Sequence, residues 1–260
     1  MGEKVIRASD NEEVKYDIID FKKLTTVMKR FLGSKKSDPE VTKWYKVVDG
    51  LHFMATTLGS AVYILFKNKY AGTFNKATGK DFFVKPLSNG KQEEVEAIPE
   101  LEIVTEGKKK IERPTGRTLE YPDVVGLFNS FNLNDFHKVE IDVDDTDDFI
   151  SVHEAMSKAS KVGGPHNTAK MKIESNELLL KLHDSPIDFE FKYKIKSDNR
   201  FCFGDYHYDF DLMTAIFKSL KDLKPYKIEM YVRDIDHPVL FVGESTDYNF
   251  NFAIQRILVR

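Results

Sequence analysis

The chain has 260 residues, a formal net charge of −3, 41% apolar and 31% charged residues, and one cysteine, Cys202. That length holds two domains of ordinary size or one large one, and the apolar share suffices for their cores. A lone cysteine excludes an intramolecular disulfide framework and fits a reducing compartment. The mildly acidic total leaves any nucleic-acid contact to local basic faces.

In chain order, "MGEKVIRASDNEEV" has no apolar core of a signal peptide, and Arg7 and Ala8 do not fit the N-myristoylation pattern. The first helical period is "DFKKLTTVMKRFLG", with Asp20 as N-cap and Gly33 as C-cap. Alternating stretches follow in "TKWYKVVDG", "LHFMAT", "SAVYILFK" and "KDFFVKP", with a turn at Asp49-Gly50. The apolar run "AVYILF" is far too short to span a bilayer, so no membrane partner is expected. Residues 88–116 read as a charged, irregular bridge, and the domain division is placed so that 1–135 and 136–260 form two similar domains.

The second helix is expected over 147–160 and the third over 209–222, capped by Asp147 and Asp209, the third closed by Pro225. Between them "KMKIESNELLLKLHDSPIDFEFKYKI" reads as a meander of three antiparallel strands. Cys202 in "RFCFG" reads as a buried strand residue. Strands "YKIEMYV", "PVLFVGE" and "YNFNFAIQRILV" finish the chain. Each helix follows an extended stretch and precedes a run of strands, which gives an α+β architecture of repeated β-α-β-β-β units.

On the first helix Phe21, Leu24, Val27, Met28, Phe31 and Leu32 share one face, and Lys22, Lys23, Thr26, Lys29 and Arg30 share the other, with no acid among them. The second helix presents Lys158 and Lys161 beside Glu154, and the third Lys218 and Lys221 among Asp211 and Asp222. Cationic faces of this kind suit phosphates, without sequence preference and with salt sensitivity.

The stretches "DTDDFISVHEAMSKAS", "TAKMKIESNELLLKLHDSP", "FCFGDYHYDFDLMTAIFKSLKD", "YKIEMYVRDIDHPVLFVGE" and "YNFNFAIQRILVR" together resemble the last domain of the bacterial DNA polymerase III beta sliding clamp family. More loosely, "KWYKVVDGLHFMATTLGSAVYIL" and "TGRTLEYPDVVGLF" resemble its middle domain. Thr57 replaces the Asp of that family's "ATD" motif, Leu58-Gly59-Ser60 replace the following Gly-His-Arg, and Gly90 interrupts the second helix of that domain.

The resemblance implies a clamp fold with helices lining a ring and antiparallel sheets outside. Two clamp domains per chain imply a homotrimer around double-stranded DNA, a divergent chain of phage origin, and a location in the host cytoplasm or nucleoid. It also implies a processivity factor that tethers a DNA polymerase and a clamp loader by short peptides, with no catalysis and no cofactor. The peptide pocket carried over consists of Thr56, Ala61, Pro122, Leu127, Leu212, Ile257, Leu258 and Val259, all apolar or small.

Two alternatives stand beside it. One is a clamp-like monomer that binds a replication protein. The other is a metal-dependent nuclease using Asp205, His207 and Asp209, which alternate on one strand, or the run Asp142, Asp144, Asp145, Asp147 and Asp148. Cap roles for Asp147 and Asp209 account for those residues without a metal, and no nucleotide-binding or nucleophile-elbow motif is present.

Overall fold

The computed structural model describes residues 5–7, 13–15, 21–35, 37–49, 51–57, 59–67, 81–87, 90–106, 109–163, 168–174, 176–183, 187–197 and 202–258. The chain divides into two compact units, Met1–Thr57 with Leu65–Val124, and Leu58–Ile64 with Val125–Arg260. The expected division at 135/136 falls later than this one. Residues 125–135 go with the second unit, where Phe128, Phe131, Phe136 and the His237 ring follow one another at 6.5, 6.1 and 6.1 Å.

In the first unit a short hairpin, β1 (Val5–Arg7) and β2 (Glu13–Lys15), precedes helix α1 (Phe21–Lys29). Helix α1 buries Leu24, Val27 and Met28, with Phe31 just beyond its end. It closes ahead of Gly33, which is therefore not its C-cap. Gly33 instead lies where a Cβ would stand 2.5 Å from Thr42 Oγ1, so close approach of the 3-10 turn at Glu40–Lys43 requires glycine. The expected cap Asp20 lies outside the described residues.

Strands β3 (Tyr45–Val48), β4 (His52–Thr56), β6 (Phe82–Pro86) and β7 (Gln92–Val95) pair in the order β4-β3-β6-β7, antiparallel throughout. Strand β5 (Ser60–Phe66) straddles the division, Ser60–Ile64 belonging to the second unit.

The bridge read as irregular is ordered. Gly90, at φ 78°, turns the chain from β6 into β7. Then β8 (Ile98–Glu106) and β9 (Lys109–Leu119) form a long two-stranded ribbon. Its base is anchored by buried Ile98, but Lys109 to Thr118 are exposed and Ile103 is 69% exposed. Because both faces meet solvent, the ribbon carries no apolar/polar alternation.

The second unit starts with helix α2 (Val124–Asn129), whose first residue ends the first unit, and contains two interlocked repeats. One is β10 (His137–Ile141), α3 (Thr146–Gly163), β11 (Thr168–Glu174), β12 (Glu177–Leu182) and β13 (Glu190–Lys194). After the two-residue β14 (Lys196–Ser197) the other is β15 (Phe203–Asp209), α4 (Phe210–Leu223), β16 (Lys227–Val232), β17 (Val239–Glu244) and β18 (Tyr248–Ile254).

Each repeat lends its first strand to the other's sheet. One sheet runs β13-β12-β11-β15, and the other runs β14-β10-β16-β17-β18, continued by β5. The expected meander is present: Ala169, Met171 and Ile173 bury against the same core as Leu178, Leu180 and Leu182. Asn176, at φ 67°, makes its turn. Phe149 of α3 stacks on Phe217 of α4 at 4.6 Å, and both helices pack against side chains from both sheets.

Two expectations need correction here. Asp147 is not a cap, because α3 starts at Thr146, whose hydroxyl donates to Val143 O at 2.6 Å; Asp147 lies within the first turn, where its charge favours the helix dipole. Cys202 is exposed, since Phe203 takes the inward place at the start of β15.

Candidate functional site

On α1 the residues opposite the core are Lys23, Thr26, Lys29 and Arg30. Thr26 and Lys29 are exposed, and Lys23 and Arg30 are half-buried. Lys22 lies in the helix, but its side chain is outside the described residues, as is that of Lys161 in α3. The helical segment contains no acid.

Helices α3 and α4 differ. Lys158 is exposed, but Lys218 Nζ stands 2.7 Å from Glu154 Oε1 and Lys221 Nζ 2.6 Å from Asp147 Oδ1. The cations that the sequence assigns to a phosphate-facing surface are thus compensated from the neighbouring helix. The Lys218 ammonium holds the Glu154 carboxyl below the usual carboxylate range.

The pocket residues fall in both units. Thr56 and Pro122 belong to the first, where the Thr56 hydroxyl donates to Thr57 O at 3.0 Å and Pro122 is exposed. Nearby, the Tyr121 hydroxyl lies 3.2 Å from Trp44 O and 3.1 Å from Met54 O, which fixes the strand leading to Pro122.

Ala61, Leu127, Leu212, Ile257 and Leu258 belong to the second unit. The chain after β18 stays extended: Gln255 N–H donates to Gly59 O at 2.9 Å and Ile257 N–H to His207 O at 2.8 Å. The segment is thereby laced to both β15 and the stretch leading into β5. Its start is held by the Tyr206 hydroxyl, which donates to Ile254 O at 2.8 Å.

Gly59 also faces Leu212 in the first turn of α4, since a Cβ there would stand 3.1 Å from Leu212 Cδ1. Asp209 caps that turn, accepting from Asp211 N–H at 2.8 Å and Leu212 N–H at 3.2 Å. Ala61 is buried, Leu212 and Ile257 half-buried, Leu127 is 42% exposed and Leu258 80% exposed. Val259 lies outside the described residues. Phe128 and Tyr63 approach at 6.5 Å, so α2 meets β5 through rings that sequence reasoning missed. The spacing of Phe128 and Phe131, three apart beside the exposed Leu127, was the signal for them.

Several of the residues weighed for metal chemistry are held by other partners. Asp205 pairs with Lys170 at 3.0 Å, His207 meets the His183 ring at 4.5 Å, and Asp142 accepts from Asp144 N–H at 3.2 Å. Burial and the neighbouring His183 both push His207 toward its neutral form. Among the described residues no three His, Cys, Asp or Glu side chains are grouped to hold a metal ion. No helix among them is long and apolar enough to cross a membrane.

No family model matches the chain, and no curated protein matches it by sequence. Solved structures do. A proliferating cellular nuclear antigen from Entamoeba histolytica aligns over 92% of this chain and 95% of its own, at 10% identity and a TM-score of 0.51. The DNA polymerase sliding clamp from Bacillus subtilis aligns over 92% of this chain and 62% of its own, at 16% identity and a TM-score of 0.55. The Helicobacter pylori beta clamp, in a complex with a DNA ligase peptide, aligns over 96% and 73%, at 10% identity and a TM-score of 0.56. The chain thus spans under two thirds of the Bacillus protein and nearly all of the Entamoeba one. Its fold is the α+β sliding-clamp fold.

Proposed function

We propose that the protein is a DNA sliding clamp, a ring of three copies that encloses duplex DNA and tethers a polymerase through a short peptide, without catalysing a reaction itself. The observation that carries this reading is the extent of the likeness. The alignment with the Entamoeba protein covers 92% of this chain and 95% of that one, and the resemblance implies six clamp domains to a ring, which two domains per chain complete with three chains.

Open strand edges support assembly between copies. Among the described residues strand β13 ends its sheet, and it alternates exposed Glu190, Lys192 and Lys194 with half-buried Phe191 and Tyr193. The β8–β9 ribbon has no third strand among the described residues. A head-to-tail ring joins two different surfaces of each copy.

The partner peptide is assigned to the second unit's surface of Gly59, Leu127, Leu212, Ile257 and Leu258. An apolar floor with an exposed rim of this kind takes Leu or Phe anchors. The duplex is assigned to Lys22, Lys23, Lys29 and Arg30, assisted by Lys158, Lys161, Lys218 and Lys221.

Multi-angle light scattering at micromolar concentration tests the ring. A mass about three times the 30.0 kDa of one chain is expected. A monomer overturns the ring in favour of a clamp-like regulator that binds a replication protein without encircling DNA.

A further inference from the structure

We propose that Glu154 competes with DNA phosphates for Lys218, and Asp147 for Lys221, so that the α3–α4 face grips a duplex weakly by construction; the inference rests on the clamp reading. The stacking of Phe149 on Phe217 sets α3 beside α4. Across that seam each lysine of α4 meets a carboxylate of α3, at 2.7 Å for Lys218–Glu154 and 2.6 Å for Lys221–Asp147.

The lysine side chains are 41% and 58% exposed, so a phosphate can reach them. It must then displace a carboxylate before the lysine can bind it. An exposed ion pair is weak enough to exchange with every step of the duplex. A lysine that lets go of one phosphate finds a carboxylate within bonding distance, and the next phosphate competes again. The face stays attractive at long range but never locks, which suits a protein that must move along DNA without choosing a sequence.

The salt dependence follows from the same exchange. Neutralising a phosphate releases condensed cations, worth a slope of about 0.9 in log affinity against log salt per contact. A carboxylate stripped of its lysine draws cations back and cancels part of that release. Removing the carboxylate leaves the full slope.

The test is a double-mutant cycle on the assembled protein, read by fluorescence anisotropy with a labelled linear duplex over a series of NaCl concentrations. Glu154→Gln is expected to tighten binding several-fold and steepen the slope. In a Lys218→Ala background the same substitution is expected to do much less, because its target is gone. Asp148→Asn, which removes an equal charge from the same helix at a residue without an ion pair among the described residues, is expected to fall short of Glu154→Gln. Equal effects of Glu154→Gln with and without Lys218, or equal effects of Asp148→Asn and Glu154→Gln, overturn the competition and leave only bulk charge. Failure of the clamp reading has a different signature: no duplex binding by the unaltered protein at low salt, and no loss on replacing Lys23 and Lys29.

Discussion

His153 is fully enclosed in the second unit, yet both ring nitrogens are satisfied. Nδ1 lies 2.7 Å from Phe149 O and Nε2 3.0 Å from the Tyr208 hydroxyl. A carbonyl only accepts, so the proton sits on Nδ1 and the tyrosine donates to Nε2. Burial lowers the histidine pKa from 6.5 to about 4, because the charged ring would be cut off from water. The unfolded chain therefore binds the proton first. The stabilising difference is complete above pH 6.5 and is lost as pH falls toward 4, about 3 kcal/mol over that window. Urea melts at pH 7 and pH 4.5 check this: His153→Gln is expected to be less stable than the parent at pH 7 and to lose distinctly less on acidification.

Gly243 is the other exacting position. A Cβ there would lie 2.2 Å from the Phe250 ring and 2.9 Å from Lys227 O, because the cross-strand phenylalanine covers the glycine. Gly243→Ala is expected to cost about 1–3 kcal/mol in chemical denaturation. Of these residue roles, the Asp209 cap was legible in the sequence, since its acceptor serves amides only two and three positions on. His153 was not, because Tyr208 lies 55 positions away, and Gly243 was not, because the register that sets Phe250 across from it is fixed only when β17 and β18 pair.

Among the elements, the strands β11 to β13 and helix α4 were readable because burial on one face imposes a period of two or of about four. The β8–β9 ribbon escaped for the opposite reason. Cross-strand neighbours such as Glu102↔Arg113 and Val104↔Ile111 mix charge and aliphatic groups, so no periodicity records the fold. Strand β13 sits between these cases, with Phe191 and Tyr193 inward and charges outward. Its role in assembly can be probed by one backbone change. Lys192→Pro keeps the inward aromatics but removes an amide and bends the edge. Since Lys192 also pairs with Leu179, a milder companion, Lys192→Glu, which reverses an exposed charge and leaves the inward aromatics in place, is needed. Both variants are expected to lower the light-scattering mass from trimer toward monomer while circular dichroism still reports folded sheet. An undisturbed trimer would remove β13 from the interface.

For the molecule, the sequence disclosed the fold class and the order of helices, but not the exchange of first strands between the two repeats of the second unit. That exchange pairs β10 with β16 and β11 with β15, contacts that no local signal encodes. The candidate duplex surface was legible as a row of cations on α1. The pairing of Lys218 and Lys221 with acids of α3 was not, because they meet only after the helices pack. Replacing Lys22, Lys23, Lys29 and Arg30 by Ala is expected to flatten the salt dependence of duplex binding by up to about 0.9 per lost contact. Replacing Lys218 and Lys221 by Ala is expected to flatten it by less than about 0.9 per lysine, because each loss also frees a carboxylate; the full value of about 0.9 per lysine would contradict the competition.

The exposed ribbon of β8 and β9 has a bearing on the life of a newly made chain. Two strands without a third hold together poorly in water, so a solitary copy carries a segment that proteases can nick. On the trimeric ring proposed above, a neighbouring copy that covers the ribbon slows cleavage there in step with assembly, so that proteolysis removes solitary copies first.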